Sequence, residues 1–257
     1  MDNPELSSHT PIYAIQHMPN DAFASKYSAE TPPPSHFSDK VGYFITNEYD
    51  YPQSLKDIKV RGGIHLAIMG GVDPVLGQVA VANPDLTIMT DINKSSLGIT
   101  TEGRINPLSE AQNAQEYWSK VGGFFRSTVR MIDPKRWDIP TDQDSMNGGW
   151  SSAEHFPAVK EAVGKGKVKW AAGDFTIDGI ELAFKLAKET DTPVRLVYVS
   201  NIFDYFENNR SKFVKRLAKG IEDGVVDANA QVIDTTSRGG PKTQVFDIAD
   251  YIKSANP

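Results

Sequence analysis

Four near-continuous apolar runs set the architecture open to this chain: "IHLAIMG" at 64–70, "LTIMTDI" at 86–92, "VKWAAGDF" at 168–175 and "VRLVYVSNI" at 194–202. A strand with one wet face alternates apolar and polar residues. A run without alternation needs cover on both faces, as the strands of a parallel sheet have. Parallel neighbours need long crossovers, and helix-like stretches follow three of the runs: "PVLGQVAVAN", "IDGIELAFKLAKET" and "NRSKFVKRLAKGIEDG". A fifth segment, "AQVIDTTS" at 230–237, is more polar but still strand-like. The alternation predicts an α/β fold with a doubly wound, mostly parallel sheet.

The remaining chain exceeds what such a sheet needs. The first forty residues end in "SAETPPPSHFSDK" and carry aromatic residues among Pro, Ser and polar ones. That composition fits either a flexible tail or an arm that orders over a ligand. "DYPQSLKDI" then predicts a short helix leading into the first strand. Residues 100–165 hold one expected helix over "LSEAQNAQEYWSKVGGFFRSTV", a loop rich in Pro, Asp and Gly, and "SSAEHFPAVKEAVGKG". We expect one domain over 1–257, with an N-terminal arm (1–60) and a helical insertion (100–165) capping the carboxyl edge of the sheet, where open α/β sheets bind ligands.

Composition narrows the partners. With 27 Lys and Arg against 33 Asp and Glu, the net charge is -6, and no dense basic run is present to collect phosphates. Nucleic acid is therefore not expected. Zero cysteines remove disulfides and thiolate chemistry. The opening "MDNPELSSHT" lacks the basic-then-apolar order of a signal peptide, and no apolar run reaches the roughly 18 residues that span a bilayer. A cytoplasmic protein with a small-molecule partner, and no membrane partner, is the expectation.

The stretch from 64 to 93 carries the ligand signal. A glycine turn, Gly70-Gly71, separates a strand from a helix, so backbone can approach a ligand at a helix amino terminus. Asp91 closes the next strand about twenty residues later, where a carboxylate accepts from both ribose hydroxyls. In "GGVDPVLG", however, Val72 and Val75 stand where a dinucleotide fingerprint has glycines, and no Gly-Lys-Ser/Thr follows. S-adenosylmethionine, which has a nucleoside but no phosphate, makes smaller demands on such a loop. Two later strand ends agree: "AAGDF" places Asp174 and Phe175 for an adenine, and "VYVSNIFDYF" places Ser200 and Asn201 for the reacting centre.

In this order the elements resemble the class I S-adenosylmethionine-dependent methyltransferase family over roughly residues 41–237, and within it a bacterial methyltransferase-like branch of poorly defined function. "YFITNEYDY" (43–51), "GWSSAEHF" (149–156), "GDF" and "YVSNIFDY" carry that similarity. The resemblance implies a Rossmann-like fold. It implies that Gly70, Gly71 and Asp73 line the methionine tail, that Asp91 holds the ribose with Ile92 beside it in the cofactor site, and that Asp174 and Phe175 meet the adenine. Ser200 and Asn201 would face the sulfonium. Two departures are visible: the glycine loop is shortened to "GGVD", and "KTQVFDIADYI" is short for the family's final antiparallel hairpin.

Recognising the cofactor leaves the reaction open, because three carbons on its sulfur are electrophilic. Methyl transfer to a small molecule leads, with Ser200, Asn201 and Tyr205 as candidate catalytic residues and Tyr43, Asn47, Glu48 and Tyr49 as candidate substrate contacts. The alternative is release of methylthioadenosine by attack on the aminocarboxypropyl chain, either transferring that chain or closing azetidine-2-carboxylate from the cofactor itself. A non-catalytic nucleoside-binding module is a third reading. His65, inside the first strand, is expected to be structural; His155 fits either a cleft or a surface helix. No His and carboxylate spacing points to a metal.

Overall fold

The computed structural model describes residues 11–29, 51–68, 72–91, 97, 101–128, 149–200, 203, 207–236 and 242–254. Its centre is a six-stranded sheet in the order β3-β2-β1-β4-β5-β6. The strands are β1 (Ile64–Ile68), β2 (Leu86–Asp91), β3 (Val168–Ala172), β4 (Val194–Val199), β5 (Val226–Thr236) and β6 (Lys242–Asp247). The first five run parallel, and β6 returns antiparallel to β5. β1 and β3 are buried along their whole length, β2 and β4 at all but one residue. That is the double-sided cover which unalternating strands require.

Helices supply the cover. On one face lie α3 (Tyr51–Ser54), α4 (Val72–Ala82), α5 (Asn106–Glu110), α6 (Ala114–Thr128) and α7 (Phe156–Gly164); their apolar residues join those of Ala67, Met89, Tyr198 and Ile233 in one core. On the other lie α8 (Ile180–Thr190), α9 (Glu207–Glu222) and α10 (Ile248–Ser254), packed with Leu66, Ile68, Ile88 and Val197 in a second core. Alternate residues of β1 therefore serve opposite layers, as the two-residue period of a strand dictates.

Three elements differ from the sequence reading. The helix expected over 108–129 is broken at Ala111–Asn113, because Asn113 Oδ1 accepts from the Glu116 amide at 2.9 Å while Glu116 Oε2 accepts from the Gln112 amide at 2.9 Å. This is a reciprocal start signal for a second helix. The strand expected at 230–237 begins at Val226: between the pairs Val194↔Val226 and Leu196↔Gln231, β5 carries the longer stretch, and its extra residues include Asp227, which accepts from Arg195 Nε at 2.9 Å. "KTQVFDIADYI" supplies both β6, paired from Gln231↔Asp247 to Thr236↔Lys242, and α10.

Residues 11–29 do not trail away. α1 (Ile12–His17) and α2 (Asn20–Tyr27) lie along the edge strand β3. Lys169 Nζ donates to the carbonyls of Gln16 at 2.8 Å and Met18 at 2.5 Å, and burial holds its pKa down. Further along, the Ala172 amide donates to Ser28 Oγ and the Ala29 amide to the Ala172 carbonyl. At Ala172, at least, the backbone groups of this edge are occupied and offer no template to another strand. The fit is close at Gly166, where φ is +68° and an added Cβ would come within 2.1 Å of the Gln16 carbonyl oxygen.

His65 is fully buried, with Nδ1 3.5 Å from Thr87 Oγ1. Burial lowers its pKa from 6.5 to about 3, and Gln78 offsets this only in part. The folded protein thus keeps the ring neutral where the unfolded chain protonates it, so stability falls as pH drops from about 6.5 toward 3, by up to ~1.4 kcal/mol per pH unit. In urea titrations at several pH values across that window, the wild-type midpoint should fall more steeply than that of His65→Gln; parallel slopes would refute this account.

Candidate functional site at the carboxyl edge

The strand order reverses between β1 and β4, whose following crossovers lead to opposite sides of the sheet. Open α/β sheets bind ligands in the crevice outside the carboxyl ends at such a point. Three chemistry-bearing strand ends flank it. Asp91 is the last residue of β2, half-buried, and its carbonyl accepts from the Gly173 amide at 3.0 Å. Ser200 follows β4 directly and is buried. Asp174 stands two residues beyond β3 and opens a π-helical turn, Phe175–Gly179.

That turn is organised by two carboxylates. Asp174 Oδ1 accepts from the Thr176 amide at 2.8 Å and from Thr176 Oγ1 at 2.7 Å; Asp178 Oδ2 accepts from the Asp174 amide at 2.9 Å. Asp174 Oδ2 meets no donor among the described residues. The chain passes close to itself here: a Cβ on Gly173 would lie 2.8 Å from that of Asp178. Phe175 turns inward, packing edge-on against Phe203 at 6.1 Å between centroids. The apolar side chain the turn presents outward is Ile177, 40% exposed. π-helical turns are uncommon and often lie at functional sites. Beneath the turn, a cavity of about 10 Å³ lined by Tyr27, Thr90 and Asp178 has room for one water.

A buried ion pair lies behind the first turn of α4. Asp73, buried there, pairs with Arg104, which a second π-helical turn (Thr101–Ile105) buries completely. Trp150 Nε1 donates to Asp73 Oδ1 at 2.9 Å, and Arg104 Nε donates to Tyr117 Oη at 2.9 Å. Trp118 lies with its ring 5.2 Å from the guanidinium carbon, and the Trp150 amide donates to Tyr51 Oη at 3.2 Å. Burial alone would depress the Arg104 pKa, but the Asp73 carboxylate, together with the hydrogen bond to the Tyr117 hydroxyl, outweighs it and raises the value, so the group stays cationic. A carboxylate in a first helical turn is also favoured by the helix dipole.

Of the residues singled out from sequence, Asp91, Asp174 and Ser200 thus stand at the carboxyl ends of β2, β3 and β4, Asp73 belongs to a buried ion pair, and Phe175 belongs to the core. Gly70, Gly71, Ile92, Asn201, Tyr205, Tyr43, Asn47, Glu48 and Tyr49 lie outside the described residues. His155 precedes α7, with Nδ1 3.2 Å from the Gly149 carbonyl, and organises its own turn. Tyr51, in the short helix before the first strand, is core. Arg104 and Ile177 were missed; nothing in "TEGRINP" marks a buried cation, and only the π-helical turn brings Ile177 outward. Among the described residues no helix is long and apolar enough to cross a membrane, and no cluster of three or more His, Asp or Glu is placed to hold a metal.

No curated protein matches the chain. Residues 108–252, more than half of its length and including α6, α7 and β3 through β6, match the model of a domain of unknown function, DUF7790. The chain belongs to the DUF7790 family.

Proposed function

We propose that the sheet is Rossmann-like and that the chain is an S-adenosylmethionine-dependent transferase acting on a small molecule, by methyl transfer. The observation that carries this reading is that Asp91, the Asp174 turn and Ser200 stand at the carboxyl ends of β2, β3 and β4, along the edge that contains the reversal of strand order. The donor set fits a nucleoside. A half-buried carboxylate at Asp91 suits a pair of ribose hydroxyls, the open Oδ2 of Asp174 suits an amino group on adenine, and exposed Ile177 offers the ring an apolar wall. In this assignment Ile177 takes the role that sequence alone gave to Phe175.

When bound, the cofactor supplies an activated methyl group and leaves as S-adenosylhomocysteine. The protein's part is positional: Asp91 and Asp174 fix the nucleoside, and Ser200, nearest the β1 and β4 ends, orients the sulfur side toward an acceptor. Asn201 and Tyr205 belong to that pole by the family resemblance, as do Gly70 and Gly71 to the methionine tail, Ile92 to the ribose side, and Tyr43, Asn47, Glu48 and Tyr49 to the acceptor.

The test is mass spectrometry of the purified protein incubated with S-adenosylmethionine, alone and with a pool of small-molecule amines, alcohols and acids, beside a binding competition against NADH. Saturable binding with S-adenosylhomocysteine formed only in the pool supports methyl transfer. Methylthioadenosine released from the cofactor alone moves the assignment to attack on the aminocarboxypropyl chain. Preference for NADH removes it.

A further inference from the structure

The Arg104–Asp73 pair is an expensive way to join two pieces of structure. Both ions leave water, and a pair buried this way is often no more stabilising than apolar residues of similar volume. What it does supply is direction. The Oδ1 of Asp73 receives two donors, Arg104 from one segment of the insertion and Trp150 from another, 46 positions apart in the chain. Each donor has its own support: Tyr117 Oη accepts from Arg104 Nε, Trp118 lies beside the guanidinium and donates Nε1 to Ser151 Oγ at 3.1 Å, and Tyr51 accepts from the Trp150 backbone. All of these act on a single residue in the first turn of α4, at the end facing the reversal of strand order. Apolar packing alone, as Val75 and Leu76 provide, tolerates small rotations of a helix; two donors converging on one oxygen do not.

We infer that Arg104, Asp73 and Trp150 form a latch by which the insertion fixes the first turn of α4, so that all three are positioning residues for a ligand bound beside it. The inference rests on the proposed function only for the identity of that ligand. It follows that whatever displaces α6 or the 149–151 turn also loosens the amino end of α4, and that ligand binding and the arrangement of the insertion are thermodynamically linked.

The discriminating variant is the double substitution Asp73→Asn with Arg104→Met, which removes both charges, keeps an acceptor for Trp150 Nε1 and roughly preserves volume. Hydrogen exchange of the peptide covering residues 72–80 is compared with that covering β4, in the full chain without ligand, and S-adenosylmethionine affinity is measured separately. The latch predicts at least tenfold faster exchange in 72–80 with the β4 peptide unchanged, and at least tenfold weaker binding. Trp150→Phe, which keeps the ring and removes one donor, should show the same local pattern more weakly. Unchanged exchange in 72–80 for both variants overturns the latch; faster exchange in both peptides together also overturns it, because the pair is then merely a stabiliser of the whole fold. If the local exchange rises but the wild-type protein binds no S-adenosylmethionine, the latch stands and the cofactor assignment falls.

Discussion

Arg104→Ala is expected to lower the free energy of unfolding by about 3–5 kcal/mol. The loss arises on the other side of the pair. With Arg104 gone, the Asp73 carboxylate stays nearly buried with, among the described residues, only Trp150 Nε1 donating to it, and Tyr117 Oη loses the donor that sits 2.9 Å away. The carboxylate left behind incurs desolvation without its main compensation. Truncation also opens space among Tyr117, Trp118 and Trp150, whose rings pack edge-on at 4.9 and 5.1 Å, and so adds a cavity cost. Urea denaturation at pH 7 measures the effect as a fall in midpoint with little change in slope. Asp73→Asn/Arg104→Met should recover most of the midpoint, since no buried charge remains. Equal destabilisation by the two variants would mean that volume, not charge, decides.

The same pair marks the limit of what the sequence discloses. Strands β1 to β4 are legible because cover on both faces leaves their runs without polar interruption, a property of each residue's own neighbourhood. Asp73 looks like an ordinary carboxylate at a helix start, and Arg104 sits 31 residues away in a segment with no periodic pattern, so only the fold reveals that they meet. The break before α6 was readable in principle, because Asn113 and Glu116 have the spacing of a helix start, but the continuous apolar rhythm on both sides masks it. Phe175 and Ile177 show a third case. Both are apolar and both follow a strand, and which one faces solvent depends on a five-residue π-helical turn that shifts the side-chain rotation from that of an α-helix.

That last distinction matters most at the ligand edge, where Asp91→Ala is expected to weaken S-adenosylmethionine binding by about 100-fold. Two hydrogen bonds to one carboxylate, each contributing about 1.5 kcal/mol, sum to ~3 kcal/mol, which is about two decades in affinity. Asp91 is half-buried at a strand end, so calorimetry on the folded variant is read beside its unfolding midpoint, which separates the binding term from any loss of stability. The neighbouring turn supplies an internal control. Ile177→Asp exchanges an exposed apolar side chain for a charge and should impair binding of adenosine and S-adenosylmethionine alike while leaving the unfolding midpoint near that of the wild type. Phe175→Ala should do the opposite: it empties part of the core beside Phe203 and Phe213, lowering stability by about 3–5 kcal/mol, while the protein that remains folded keeps most of its affinity. If Phe175→Ala instead abolishes binding and Ile177→Asp does not, the adenine lies on the inner side of the turn, which must then open to admit it.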